Sequence, residues 1–142
     1  MVEIVKIIMG LKGSGKTKKL VDLVIEAVNS ASGDVVVIEK EKKLTFDIPY
    51  QARLIDAGDY GVASYDVLKG FISGLHAGNY DITHFFIDNF FKLVNDNSVE
   101  DLPVFMEWLD AFSAKENIEF VISVSADTDS CPETMKKYVI EI

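Results

Sequence analysis

One cysteine, Cys131, and one arginine, Arg53, occur in a chain of 142 residues. A lone thiol cannot close an internal disulfide or furnish a cysteine-rich zinc site, so a reducing compartment, the cytoplasm, is the expected location. A lone arginine argues against the clamps of several arginines with which small-molecule kinases surround a transferred phosphoryl group. No apolar run approaches the ~20 residues of a membrane span, and no basic segment followed by an apolar stretch marks a secretory signal at the N-terminus. Membrane insertion is therefore not expected. Positive charge is scarce overall. Fourteen Lys and Arg stand against 23 Asp and Glu, a net charge of −9, which repels a phosphate backbone and makes nucleic acid an unexpected partner. Repeats, low-complexity stretches and linkers are missing as well, so one domain spanning 1–142 is expected.

What the chain does have is concentrated near its start. Gly10-Leu11-Lys12-Gly13-Ser14-Gly15-Lys16-Thr17 fills the pattern G-x-x-x-x-G-K-[ST]. Gly13 and Gly15 can take positive φ and bring backbone close to a phosphate. Successive N–H groups, including that of Ser14, then form an anion-binding nest. Lys16 can reach β- and γ-phosphates, and the Thr17 hydroxyl can ligate Mg²⁺. An apolar strand, Val2 to Met9, precedes the loop, and a helix over Lys18 to Val28 follows it. Strand, loop and helix are the context that this motif requires. Lys12, Lys18 and Lys19 add positive charge, and the last two fall in a helix's first turn, where cations are unfavourable unless an anion is near. Lys40, Lys42 and Lys43 read as a solvated surface.

Further along, the first helix is expected to end near Ser30, with Gly33 as its stop. Asp34 to Glu39 reads as a buried parallel strand. Leu44–Asp47 and Ala52–Asp56 read as two short strands around Pro49-Tyr50, joined as a hairpin or an edge excursion because no helix fits between them. Ser64 is a candidate N-cap for a helix carrying Val67, Leu68, Phe71, Ile72 and Leu75, stopped by Gly78-Asn79. Thr83 to Asp88 is a buried strand. Ser98 to Asp101 resembles a capping box, with Asp replacing Glu, ahead of a helix bearing Leu102, Phe105, Met106, Leu109 and Phe112. Ile118–Ser125 is another buried strand, and Tyr138–Ile142 reads as a terminal edge strand. The alternation predicts an α/β fold: a three-layer αβα sandwich around a mainly parallel sheet.

A phosphate loop calls for a carboxylate at the end of a second buried strand to hold Mg²⁺. Phe85-Phe86-Ile87-Asp88 supplies it, in the Walker B pattern. Asp81 precedes its strand and belongs at the opposite sheet edge, and Asp56 ends a shorter strand.

With these two motifs the chain resembles the P-loop NTPase superfamily. The spacing between them is similar to that of the RecA-like branch, in which another strand lies between the two Walker strands; here that strand is Ile118–Ser125. The chain is also similar to small stand-alone bacterial P-loop proteins. The resemblance implies a bound nucleotide, ATP, with Mg²⁺ held by Thr17 and Asp88. It also implies a base that activates water. Many members place Glu directly after the Walker B Asp, but here that residue is Asn89, whose amide can orient water without taking its proton. Others carry Glu just beyond the second strand, a position offered by Glu39 and Glu41, of which Glu41 is the better match. A polar residue near the γ-phosphate is implied at Ser123 or Ser125, with Ser125 nearer the carboxyl end. A slow ATP hydrolase and a nucleotide-sensing module are both consistent with this set. No Asn-Lys-x-Asp or Asp-x-x-Gly pattern of a GTPase is found. His76 and His84 read as structural. Phe90 and Phe91, if exposed, mark a surface for a protein partner or for self-association; a helix or strand continuation that buries them is an equal alternative.

Overall fold

A computed structural model describes residues 4–41, 43–96 and 98–140. Six strands form one sheet: β1 Val5–Gly10, β2 Asp34–Glu39, β3 Ala52–Asp56, β4 Ile82–Ile87, β5 Glu119–Ser125 and β6 Val139–Ile140, in the order β3-β2-β4-β5-β1-β6. Every pairing is parallel. β5 lies between β1 and β4, the position expected of Ile118–Ser125. Four helices accompany the sheet: α1 Lys16–Ser30, α2 Tyr65–Gly78, α3 Phe90–Leu93 and α4 Leu102–Glu116.

The strands are apolar on both sides, and successive side chains alternate between two cores. Ile8, Val35, Val37, Phe86 and Val121 pack with Leu20 and Val24 of α1. Ile7, Val36, Ile38, Phe85 and Ile87 pack with Leu68 and Ile72 of α2 and with Phe105 and Leu109 of α4. Helices thus cover both faces of the sheet in three layers.

Local chemistry sets the boundaries. Ser64 Oγ accepts the Val67 N–H at 3.2 Å and opens α2, while Asn79 closes it. α1 ends at Ser30 as expected, but its cap is Ala31 in extended conformation rather than Gly33. Gly33 serves another purpose: a Cβ there would fall 2.1 Å from the Asp81 carbonyl, so only glycine lets β2 begin beside β4.

Two expectations are corrected. Leu44–Asp47 is not a strand, and no hairpin joins it to Ala52–Asp56. β3 instead runs parallel to β2 at the sheet edge. A parallel return needs a crossover, and the turns of the β2–β3 connection provide it by burying Leu44 and Ile48 against the α1-side core. Ser98 does not form a capping box: its Oγ accepts the Glu100 N–H, and Asp101 caps α4 without a side-chain hydrogen bond. Of the two outcomes open for Phe90 and Phe91, burial is the one found: they are 0% and 8% exposed, because α3 folds them into the core. Val2 and Glu3 of the expected first strand, Lys42, and Glu141 and Ile142 of the expected last strand lie outside the described residues.

Candidate functional site

The carboxyl ends of β1, β4 and β5 converge on one edge of the sheet. Gly10 ends β1, and the chain then turns through Leu11–Ser14, closed by a 3.1 Å hydrogen bond from the Ser14 N–H to the Leu11 carbonyl. Gly13 and Gly15 take φ of +84° and +92°, the left-handed region expected of them. Gly15 is the N-cap of α1, so the first helical N–H groups and the positive end of the helix dipole face this turn.

Lys16 is the first helical residue, and its side chain is buried. Its Nζ donates to the Leu11 carbonyl at 2.9 Å, folding the ammonium back over the loop. Burial pushes its pKa below the ordinary lysine value, and the nearby Asp88 charge partly opposes that. Thr17 points the other way. Its Oγ1 donates to the Asp88 carboxylate, 3.2 Å from Oδ2 and 3.4 Å from Oδ1. Residues 71 positions apart in sequence therefore present a hydroxyl and a carboxylate to one point.

Asp88 is buried and held from two further sides. Its backbone N–H donates to the Ile38 carbonyl at 3.1 Å. Its Oδ1 accepts the Ser123 hydroxyl at 2.6 Å. The register explains the second contact: Ile87 pairs with Ile122, so the next residue on each strand comes side by side. Ser123 Oγ also accepts the Asn89 N–H at 2.9 Å, which fixes Asn89 in a left-handed conformation, φ +50°, at the start of α3. One buried hydroxyl thus orients both Asp88 and the residue that follows it.

Of the two serines considered at this strand end, Ser123 is the one that meets Asp88 and Asn89. Ser125, the favoured position, is exposed at the end of β5, in register with Gly10. The sequence did contain a signal for Ser123. A hydroxyl set inside an apolar strand must find a partner, either a backbone carbonyl, as Ser113 of α4 finds at Ile118, or a polar group on a neighbouring strand end.

The two candidate bases separate. Glu39 ends β2 and is buried, with both oxygens engaged: Oε1 accepts the Lys43 N–H at 2.5 Å and Oε2 the Leu44 N–H at 2.9 Å. Burial raises its carboxyl pKa, those two N–H groups oppose the rise, and the charges of Asp88 and Asp56 add to it. Glu41 is exposed, adopts φ +85° and pairs through Oε2 with Lys43 at 3.2 Å. Its backbone N–H donates to Asp56 Oδ1 at 3.1 Å. Asp56 also takes the Gly58 N–H at 2.9 Å, so its carboxylate organises the loop rather than rivalling Asp88. Asp81 lies at the opposite sheet edge, where its carbonyl accepts the Asp34 N–H.

Lys12 is exposed on the loop, and Lys18 forms an exposed ion pair with Asp22 at 3.3 Å, one helical turn on. His84 bridges Thr83 Oγ1 at 2.9 Å and Glu119 at 2.6 Å, and His76 meets Glu116 at 2.6 Å. Both histidines sit away from the phosphate loop, in structural pairs.

Among the described residues no group of three or more His, Cys, Asp or Glu gathers as a metal cage. Thr17 and Asp88 do fit the needs of Mg²⁺. This ion keeps several waters and takes one or two protein oxygens together with substrate phosphates. No helix among the described residues is long and apolar enough to cross a membrane. No family model matches the chain, and no curated protein matches it.

Proposed function

We propose that the chain binds ATP with Mg²⁺ at Gly10–Thr17, as a RecA-like P-loop protein, and hydrolyses it slowly. The observation that carries this reading is the meeting of the Thr17 hydroxyl with the Asp88 carboxylate at 3.2 Å, beside a loop with two left-handed glycines. The position of β5 between β1 and β4 supports it.

Each residue has a distinct part. The loop N–H groups and the start of α1 take phosphate oxygens. Lys16 exchanges its bond to the Leu11 carbonyl for a phosphate oxygen, a substitution of one charge-assisted contact by a stronger one. Thr17 and Asp88 hold the metal, which when bound neutralises charge on the phosphate oxygens. Ser123 keeps Asp88 in the orientation that meets Thr17. Slow turnover follows from the water-activating positions. Glu39 is occupied with two N–H groups, Glu41 is paired with Lys43, and the Asn89 amide orients water without accepting its proton.

Phosphate release from ATP by the purified chain, with and without Mg²⁺, tests the hydrolase. Metal-dependent release above that of the Lys16→Ala variant is expected. Release equal to that variant's, in both conditions, contradicts hydrolysis.

The engaged state of Glu39 favours a second reading, a nucleotide-dependent regulatory module. Glu39 stands beside Asp88 and grips the β2–β3 connection, so occupancy of the site can be passed to that segment. Nucleotide binding without phosphate release, accompanied by altered amide exchange at 43–48, is the pattern this reading predicts.

A further inference from the structure

One large cavity lies remote from the Gly10–Thr17 loop. It is a groove of about 950 Å³ along β3, roofed by the C-terminal half of α2. β3 is the sheet edge, with no strand on its outer side among the described residues. The Ala52 N–H donates to the Pro49 carbonyl at 3.0 Å, and the other outward N–H and C=O groups of β3 face no strand and can pair with another chain. Proline, lysine and other charged side chains blunt such pairing; β3, Ala52-Arg53-Leu54-Ile55-Asp56, has no proline or lysine, and its two charges, Arg53 and Asp56, restrict the sequences that can pair with it.

The groove is shaped to admit backbone. Gly74 and Gly78 of α2 line it one helical turn apart, and a Cβ on either would meet no atom within 4 Å. No contact within the chain calls for glycine at these positions, and they leave room beneath α2 beside β3. Phe71, Leu75 and Tyr60 provide apolar walls.

Charge selects the occupant. Ile55 packs in the α2-side core and Ala52 in the α1-side core, so strand alternation puts Arg53 on the α2 side, where it lines the groove. In a chain of net charge −9 this arginine is exposed and makes no ion pair among the described residues. Asp34, at the groove's far end, is taken by Asn79 Nδ2 at 2.8 Å. A second copy fits poorly. An antiparallel pair of β3 strands centred on Leu54 would set the two Arg53 side chains diagonally on one face, like charge near like charge, with no carboxylate opposite either.

We propose that the β3 edge receives an extended peptide strand of a partner protein, carrying alternate apolar and acidic residues on the side facing α2. Main-chain hydrogen bonds to β3 would give affinity, and an acidic side chain opposite Arg53 would give selectivity. The proposal does not depend on the nucleotide reading.

The test selects binders of the full chain from a displayed library of twelve-residue peptides and measures affinities of the synthetic winners. Enrichment of alternating apolar and acidic residues is expected, with slowed amide exchange across 52–56 on binding. Arg53→Glu should weaken a winner by about tenfold, and replacing the peptide's acidic residues by lysine should restore binding to that variant. Matching thermal midpoints for the variant and the wild type establish that the exchange of charge leaves the fold intact. Failure to enrich any peptide overturns the proposal, as do winners indifferent to Arg53→Glu, or amides at 52–56 already protected by self-association.

Discussion

Asp88 and Glu39 end adjacent parallel strands, yet their surroundings give them different work. Asp88 faces two hydroxyls, Thr17 and Ser123. Glu39 faces two backbone N–H groups that use up its oxygens. Ser123→Ala would leave Asp88 Oδ1 without its short hydrogen bond and the Asn89 N–H unpaired in a buried place. The expected cost is about 1–3 kcal/mol of stability, with weakened metal-dependent nucleotide binding. Ser125→Ala, at an exposed strand end, should change neither. Chemical denaturation and nucleotide titration of the two variants check this. Glu39 carries a pH signature. Its pKa is higher folded than unfolded, chiefly through burial, so the folded chain holds that proton more tightly. Stability that is fully present below the unfolded value of about 4.3 is lost as pH rises through the folded value. Glu39→Gln has no such proton to release. Its stability relative to the wild type should therefore increase from about pH 4 to neutrality, as followed by denaturant midpoints of both proteins. A gap that stays constant or moves the other way would sink this assignment.

At the scale of elements, α2 contains an expense that no contact among the described residues requires. Gly70, Gly74 and Gly78 lie one turn apart in a helix of 14 residues, and an added Cβ at each would meet open space. Glycine inside a helix costs about 1 kcal/mol relative to alanine. Gly70→Ala and Gly74→Ala should each stabilise the chain by roughly 0.5–1 kcal/mol, read from denaturant midpoints. Destabilisation by either would mean that the helix backbone needs glycine after all. Elements with local signals were legible in the sequence: α2 through Ser64 and its apolar periodicity, and β1 with α1 through the glycine turn. The β2–β3 connection was not. Its two anchors, Leu44 and Ile48, are ordinary apolar residues whose burial depends on α1, distant in sequence, so the direction of β3 could not be read locally. The Ser98–Asp101 cap failed for a related reason. Ser98 found a nearer acceptor role, to the Glu100 N–H, before the helix began. Phe90 and Phe91 were ambiguous because a strand end says nothing about whether the chain next turns inward.

At the scale of the molecule, strand order decides where a ligand can sit. With β5 inserted between β1 and β4, the carboxyl ends of all three meet at one edge, the place where open parallel sheets bind ligands. Thr17, Asp88 and Ser123 each come from a different part of the chain and meet only because of that order. The glycine turn ahead of α1 was legible as a motif and Asp88 as the end of an apolar strand. The hydroxyl joining Asp88 to Asn89 needed the register of β4 against β5. The acidic surface adds a global effect, since an anionic ligand approaches a chain of net charge −9 more readily with its own charge partly neutralised. Equilibrium titration of ATP against the wild type and Asp88→Asn, each with and without Mg²⁺, probes the Thr17–Asp88 pairing most directly. The wild type should bind ATP more tightly with Mg²⁺, by about tenfold or more, and Asp88→Asn should lose most of that gain. A wild-type affinity that is undetectable, or that Mg²⁺ and Asp88→Asn leave unchanged, would contradict a magnesium–nucleotide site at this edge of the sheet.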